Sequence, residues 1–312
     1  MEDRFRRLPD RFYFSGLLPA LSLLPRRQGY FMARMLGRHF SRTHPIARER
    51  IVRSLCQAIG SKPPGFENCE VIARDFFENL SCEDLDAFYY PFWKEGNLHD
   101  YFAFEGLENL DRAEREGRGA LLLTGHVGAV CAALVALGLK GYRVTHLARE
   151  YAGERSLPAP FRAYALKKVT WIESKIGRPL IYADARDRSG SSEAVLRIYQ
   201  ALLDNQMVSM AIDVHPEWVQ DTATVTFLGR RARFATNLVR LAHRCQAPVI
   251  PYFIIRDRRD WWRHRLWVAP PLELTGNLDQ DLQTCIDQLA ETIRRHPEQW
   301  FSWDSLSHFW VP

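Results

Sequence analysis

A histidine in a turn between a predicted strand and a predicted helix has the position and the chemistry of a general base. Residues 119–124 form an apolar run, Gly125-His126-Val127-Gly128 follows, and an alanine-rich helical segment begins after it. The carboxyl edge of a sheet is where open α/β folds bind their ligands. A nearby helix N-terminus favours the neutral imidazole, which can accept a proton, and Gly125 and Gly128 would let a substrate approach the backbone. A turn histidine is more often structural, so the role of His126 depends on its context.

The elements around this turn alternate as they do in α/β folds. Residues 26–93 show helical periodicity, interrupted at 61–65, and short apolar runs alternate with amphipathic helices after Gly96. The predicted strands are 119–124, 142–147, 179–183, 207–212, 224–228, 248–256 and 264–268, and the predicted helices are about 128–138, 159–168, 191–204, 235–245 and 279–295. The pattern predicts an α/β fold with a central mixed sheet flanked by helices, a helical N-terminal region over 1–95 and an α/β domain over 96–312.

Composition narrows the class of protein. The chain has 312 residues, of which 46% are hydrophobic and 25% charged, and these values exclude a disordered, collagen-like or many-span membrane chain. Its six cysteines are scattered without a CxxC pair, which predicts neither a zinc site nor a disulfide framework and fits a reducing compartment.

Positive charge is concentrated at the start of the chain. Residues 1–60 hold twelve arginines and four acidic residues, a net +8, so the remaining residues contribute −3 to the total of +5. An apolar block over 12–24 lies within this basic segment. The combination predicts attachment to an anionic membrane surface, with docking of the segment on the rest of the protein as the alternative. No nucleic-acid motif accompanies the charge, so no nucleic-acid partner is predicted.

Several short motifs, in order along about residues 70–304, resemble those of the bacterial lipid A biosynthesis acyltransferase family, part of the lysophospholipid acyltransferase superfamily. These motifs are Phe104-Glu105-Gly106-Leu107-Glu108-Asn109-Leu110, the stretch 116–120, Leu123-Thr124-Gly125-His126-Val127-Gly128, the helix and strand over 196–213, the stretch 224–232, the strand 247–253 with Leu241-Ala242 before it, and Pro297-Glu298-Gln299-Trp300 with Trp303. The ordered set is far more specific than any one of its members.

The resemblance implies a glycerolipid acyltransferase-like sheet and transfer of a fatty acyl group from an acyl carrier protein or coenzyme A thioester to a lipid hydroxyl. It also implies a place at the cytoplasmic face of the inner membrane and chemistry without a metal or cofactor. His126 would be the general base, and an oxyanion stabiliser would be a backbone N–H or an arginine. Substrate contacts are expected from Cys131, Arg149, Phe227, Gly229 and Arg230, and the turn glycines Gly125 and Gly128 belong to the same site.

One position departs from the family motif, which places Asp or Glu five residues after the histidine. Here that residue is Cys131, and a neutral thiol cannot orient and stabilise an imidazolium as a carboxylate does. Three interpretations remain. Glu150 or Asp213 replaces the missing acid; or His126 works with less activation, or on an amine or thiol acceptor; or the protein keeps lipid or carrier binding without transfer. His215, two residues after Asp213, is interpreted as incidental.

Overall fold

The computed structural model describes residues 10–149, 157–183 and 188–311, with side chains in the last range from 193 onward. Seven strands form one mixed sheet in the order β1-β9-β8-β2-β5-β3-β4, and two more form a separate antiparallel pair, β6-β7. The strands are β1 (Phe102–Glu105), β2 (Ala120–Thr124), β3 (Val144–Arg149), β4 (Ile181–Ala183), β5 (Met207–Ala211), β6 (Thr222–Phe227), β7 (Arg230–Ala235), β8 (Val249–Arg256) and β9 (His264–Val268). Only the β8–β9 pairing in the large sheet is antiparallel. The predicted α/β class with a mixed central sheet is confirmed.

Helices flank the sheet and make up the N-terminal region. They are α1 (Asp10–Phe12), a π-helical turn (Tyr13–Leu17), α2 (Leu18–Ser22), α3 (Arg26–Thr43), α4 (Pro45–Ile59), α5 (Cys69–Asp86), α6 (Leu107–Glu116), α7 (Val130–Leu139), α8 (Ala159–Ile176), α9 (Arg188–Leu203), α10 (Asn237–Cys245), α11 (Leu278–Arg295) and α12 (Leu306–Phe309). The predicted break at 61–65 falls between α4 and α5, where the Asn68 side chain caps α5 by accepting from the backbone N–H of Val71 at 3.0 Å. The division of the chain near residue 95 stays a prediction.

Strand β2 lies at the centre of the sheet because its sequence is apolar on both faces. Leu121, Leu122 and Leu123 are completely buried, and the strand pairs in parallel with β5 on one side and β8 on the other. Continuous apolar runs are typical of parallel strands covered by helices on both faces. The carboxyl ends of β2 and β5 therefore lie side by side, which brings the residues that follow them together.

A buried ionic network ties the N-terminal helices to the sheet. The guanidinium of Arg256, at the end of β8, donates to the carboxylate of Asp86, at the end of α5, and to the carbonyl of Trp261 at 2.7 Å. The Asp86 carboxylate also accepts from the Tyr30 hydroxyl of α3 at 2.5 Å. The Arg256 and Asp86 side chains are only 3% and 0% exposed. Three elements distant in sequence thus meet at one carboxylate.

The apolar N-terminal block divides between core and surface. Tyr13, Phe14 and Leu18 are at most 3% exposed, whereas Phe12 and Leu23 are 56% and 81% exposed. The buried half docks this segment on the rest of the protein, as the alternative interpretation expected, and the exposed half leaves apolar side chains at the surface. Among the described helices, none combines the length and apolar character needed to cross a bilayer.

Candidate active site

The turn after β2 contains two glycines at positions where the packing leaves no room for a side chain. A Cβ at Gly125 would lie 2.5 Å from Cδ1 of Leu289, and a Cβ at Gly128, where φ is +64°, would lie 1.9 Å from the carbonyl oxygen of Ile254. A side chain at Gly128 would also be strained by the left-handed backbone. Each glycine therefore fits the turn against its protein neighbours, and the expectation that both also let a substrate approach the backbone stays a prediction.

Asp213 binds His126 through both the backbone and the side chain. Nδ1 of His126 lies 2.8 Å from Oδ1 of Asp213, and the backbone N–H of His126 donates to the same carboxylate at 3.0 and 2.9 Å. Because a carboxylate accepts, Nδ1 carries the proton and Nε2 has the lone pair. The carboxylate is buried, the imidazole is 47% exposed, and no described residue is hydrogen-bonded to Nε2. A histidine oriented in this way by a carboxylate has the arrangement of a general base, in which Nε2 would accept the proton.

A segment near the C-terminus completes the surroundings of this carboxylate. Nε1 of Trp300 donates to Oδ2 of Asp213 at 2.7 Å. On either side of Trp300, the backbone N–H of Gly128 donates to the carbonyl of Gln299, and that of Phe301 donates to the carbonyl of His126, both at 2.8 Å. The turn and the tryptophan are therefore held in register by backbone hydrogen bonds.

The paired groups shift each other's ionisation. Partial burial lowers the pKa of His126, but the Asp213 carboxylate more than offsets this, and the pKa of His126 lies above its ordinary value. Burial would raise the pKa of Asp213, yet His126 and the N–H donors bring it below its ordinary value. Asp213 is therefore ionised at neutral pH and stabilises the imidazolium that would form when His126 takes a proton.

Two of the predicted site residues, Arg149 and Glu150, are neighbours in the sequence. Arg149 is the last residue of β3, and its guanidinium lies 4.6 Å from the ring centre of Trp218, in the loop that follows Asp213. Glu150, the other carboxylate considered as a replacement acid, lies outside the described residues. Of the two predicted acids, the structure brings Asp213 to His126.

The predicted substrate-facing residues of the β6–β7 hairpin have contacts of their own. Phe227 is fully buried and packs edge-on against Trp300, with ring centres 5.7 Å apart. Gly229, at φ +83°, is the second residue of the two-residue turn between β6 and β7. Arg230 lies over the ring of Trp310 at 4.5 Å. Phe227 thus packs against the tryptophan that donates to Asp213. Arg230 instead contacts the C-terminal tail.

A second polar network near His126 was not predicted from the sequence. Nδ1 of His146, on β3, lies 2.9 Å from Oγ of Ser209, its register partner on β5, and Ser209 Oγ lies 2.5 Å from the Tyr252 hydroxyl on β8. Burial and the neighbouring His126 lower the pKa of His146 to about 4, so it is neutral at pH 7. The sequence shows only a histidine and a serine within two apolar strands. These two residues become informative when the structure shows that the two strands are adjacent.

Comparison with protein families agrees with this geometry. The family model described as bacterial lipid A biosynthesis acyltransferase matches residues 5–157 and 186–304. The chain belongs to this family. The matched residues include His126, Asp213 and Trp300. A comparison with curated proteins found no match. Membership of the lipid A biosynthesis acyltransferase family supports acyltransferase activity on a lipid.

The residue that departs from the acyltransferase motif has different neighbours. Cys131 is half-buried in the first turn of α7 and lies beside Lys168, which donates to Oε1 of Glu83 at 3.1 Å. Burial raises the pKa of the Cys131 thiol, and Lys168 only partly opposes this shift. The thiol is therefore protonated at neutral pH and is a poor nucleophile. No hydrogen bond among the described residues links it to His126.

We expect Cys131→Ala to keep kcat/KM for acyl transfer within about threefold of the wild type, roughly 0.7 kcal/mol of transition-state free energy. The reason is that no hydrogen bond among the described residues links the thiol to His126, whose Nδ1 is bound to the Asp213 carboxylate instead. Steady-state kinetics beside the matched variant Cys56→Ala, which removes another half-buried helical thiol, would measure this. A loss of a hundredfold or more confined to Cys131→Ala would show that the thiol takes part in the reaction.

Proposed function

We propose that this protein transfers a fatty acyl group from an acyl carrier protein or coenzyme A thioester to a hydroxyl or amine of a lipid acceptor, with His126 as the general base. One observation supports this above the others: Nδ1 of His126 is bound by the buried Asp213 carboxylate at 2.8 Å, while Nε2 has no hydrogen bond to any residue that the structure describes. Asp213 then takes the part of the acid that the motif lacks at Cys131, which is the first of the three interpretations.

The reaction proceeds without a covalent intermediate on the enzyme. Nε2 of His126 removes the proton of the acceptor, whose oxygen or nitrogen attacks the thioester carbonyl carbon. The tetrahedral intermediate collapses, the carbon–sulfur bond breaks, and the imidazolium returns the proton to the leaving thiolate. Asp213 stabilises the imidazolium throughout and keeps its own negative charge.

The turn itself offers few donors for the oxyanion of the intermediate. The backbone N–H groups of His126, Val127 and Gly128 donate to Asp213, to the carbonyl of Gly125 and to that of Gln299 respectively. An arginine is therefore the better stabiliser of the two kinds expected. Arg149, at the carboxyl end of β3 two strands from β2, is the residue that we propose for this role or for a phosphate contact.

We also propose that the protein works at the surface of an anionic membrane, on the cytoplasmic side of the inner membrane. The exposed Phe12, Leu23 and Phe31 lie in the same N-terminal segment as the exposed Arg11 and Arg27. Apolar side chains beneath the headgroups with arginines at their level are typical of interfacial attachment. A lipid acceptor would reach the site from the same surface.

The decisive experiment gives the wild-type protein and His126→Ala labelled acyl carrier protein or acyl coenzyme A with a total lipid extract, and identifies products by mass. We expect an acylated lipid from the wild type and from His99→Ala, a control at an exposed histidine, and none above background from His126→Ala. A product unchanged in His126→Ala would overturn the assignment of the base.

Two other results would select a different function. If the thioester or lipid binds but no transfer occurs, the protein is a binding relative that has lost the chemistry. If free fatty acid is released without an acceptor, it is a hydrolase, with water in place of the lipid.

A further inference from the structure

Two histidines and a glutamate converge in the loop that carries Asp213 and in the C-terminal tail. His215 lies two residues after Asp213, Glu217 lies in the 3₁₀ turn Pro216–Trp218, and His308 lies on α12. One ligand atom from each of the three lies within 4.8 Å of the other two. The two imidazole ring centres are 4.5 Å apart. Two segments distant in sequence thus present nitrogen and oxygen ligands to one point.

Aromatic packing fixes both segments. The ring of His215 stacks on Trp218, with centres 5.1 Å apart and an interplanar angle of 27°, and its side chain is 15% exposed. Phe309, the neighbour of His308, is buried and packs 5.0 Å from Phe234 of β7. The backbone positions that present the two histidines are therefore set by the fold, without a contribution from any ion.

The distances suit a metal ion after small side-chain rotations. Nδ1 of His215 and Oε2 of Glu217 are 4.0 Å apart. Two ligands bound to one tetrahedral zinc ion at about 2.0 to 2.2 Å lie about 3.3 to 3.6 Å apart, so this pair must close by a few tenths of an ångström. The widest separation in the cluster needs only a modest movement of Glu217 or His308, both of which are exposed. Nδ1 now accepts a long hydrogen bond of 3.3 Å from the backbone N–H of Glu217, which an ion would replace.

The ligand chemistry selects the kind of ion. Imidazole nitrogen with one carboxylate suits zinc, cobalt, nickel or copper, whereas calcium and magnesium prefer sites made wholly of oxygen. Three protein ligands leave at least one coordination position for water. Since the site holds no cysteine, it differs from the cysteine-based zinc sites that the sequence analysis had considered and excluded.

We propose that His215, Glu217 and His308 bind one divalent transition-metal ion of the zinc class, which fastens α12 to the loop after β5. This site is independent of the proposed acyl transfer and contains neither His126 nor Asp213. His215 was interpreted as incidental, and the sequence did not show that His308 lies beside it. The ion would act on the stability of the tail and of the loop, with no part in the removal of the acceptor's proton.

The test is titration of the full-length, untagged and reduced protein with Co²⁺, followed by its visible absorption. We expect one ion per chain with d–d bands typical of nitrogen and oxygen ligands. Binding should weaken at least tenfold in His308→Ala and in Glu217→Gln, and stay unchanged in the matched surface variant His99→Ala. Because Glu217 is exposed at the surface, Glu217→Gln keeps the test valid if His308→Ala alters the tail.

A second readout is the melting temperature with and without Zn²⁺. An ion that binds only the folded state raises the melting temperature, so we expect a rise in the wild type and in His99→Ala that is absent from the two site variants. Thiolate-to-cobalt charge-transfer bands, or an affinity that is the same in all four proteins, would overturn the proposal.

Discussion

Asparagine in place of Asp213 should lower the kcat for acyl transfer by roughly 10⁴-fold, the size of the corresponding change in a serine-protease triad. The amide cannot stabilise an imidazolium, and it no longer fixes the proton of His126 on Nδ1, so Nε2 ceases to be the acceptor. The fold should survive because asparagine has the same shape, and a carbonyl oxygen can still accept from the backbone N–H of His126 or from Trp300. Single-turnover kinetics with saturating thioester would measure the chemical step.

The pH profile separates this role from a structural one. His126 must be neutral to act as a base, so the rate falls as pH drops through its pKa in the folded protein. The Asp213 carboxylate raises that pKa, which places the acidic limb of kcat/KM in the wild type above about pH 6.5. In Asp213→Asn partial burial remains without the carboxylate, so the limb should move to lower pH. Asp204→Asn, at an exposed aspartate before β5, should change neither quantity, and a limb that does not move in Asp213→Asn would contradict the assignment.

Alanine in place of Asp86 should lower the free energy of unfolding by about 3 to 5 kcal/mol, because it leaves the buried guanidinium of Arg256 without its counter-ion. Tyr30 loses its acceptor at the same time, so the contact between α3 and the sheet weakens as well. Urea unfolding with linear extrapolation would measure the change.

Two further variants separate charge burial from a general loss of packing. Asp86→Leu combined with Arg256→Met should recover much of the stability, since an apolar pair replaces an ion pair in the core at little cost. Glu49→Ala removes an exposed pair on α4, with side chains 67% and 72% exposed, and should cost less than about 0.5 kcal/mol. A loss in Asp86→Ala no larger than that would show that Arg256 finds water or another partner.

The strands at the centre of the sheet were predictable because apolar residues accumulate where both faces are covered. All seven predicted strands are present, with ends shifted by up to two residues. Two strands were missed. β1 is short and lies at the sheet edge, and β7 begins with the exposed Arg230 and carries Arg231 and Arg233 on its exposed side. Arg231 and Arg233 alternate with the buried Ala232 and Phe234, which is a strand pattern, but the high charge of this segment made it hard to recognise.

The sequence predicted individual residues of the candidate site, but not how they are arranged. The motif gave His126, and the position of Asp213 at the end of a predicted strand made it one of two candidate acids. The choice between them required the order of strands, because β5 neighbours β2 although β3 and β4 lie between them along the chain. The residue at the motif's acid position, Cys131, could not show that β5 lies beside β2. The periodicity of one segment contains no information on which strands are adjacent. Trp300 was noted only as part of a C-terminal motif, and nothing in that motif showed that it donates to Asp213.

The indole of Trp300 sets the point in protein synthesis after which this site can be complete. The Asp213 carboxylate is held by groups far apart in the chain, since His126 lies 87 residues before it and Trp300 lies 87 residues after it. A nascent chain therefore contains the strands of the sheet before it contains every group that holds the proposed base. Until residue 300 has left the ribosome, the turn has no Trp300 beside the carboxylate and lacks the backbone hydrogen bonds to Gln299 and Phe301. The proposed base can thus be completed only after the last described strand of the sheet has been made, because that strand ends at Val268.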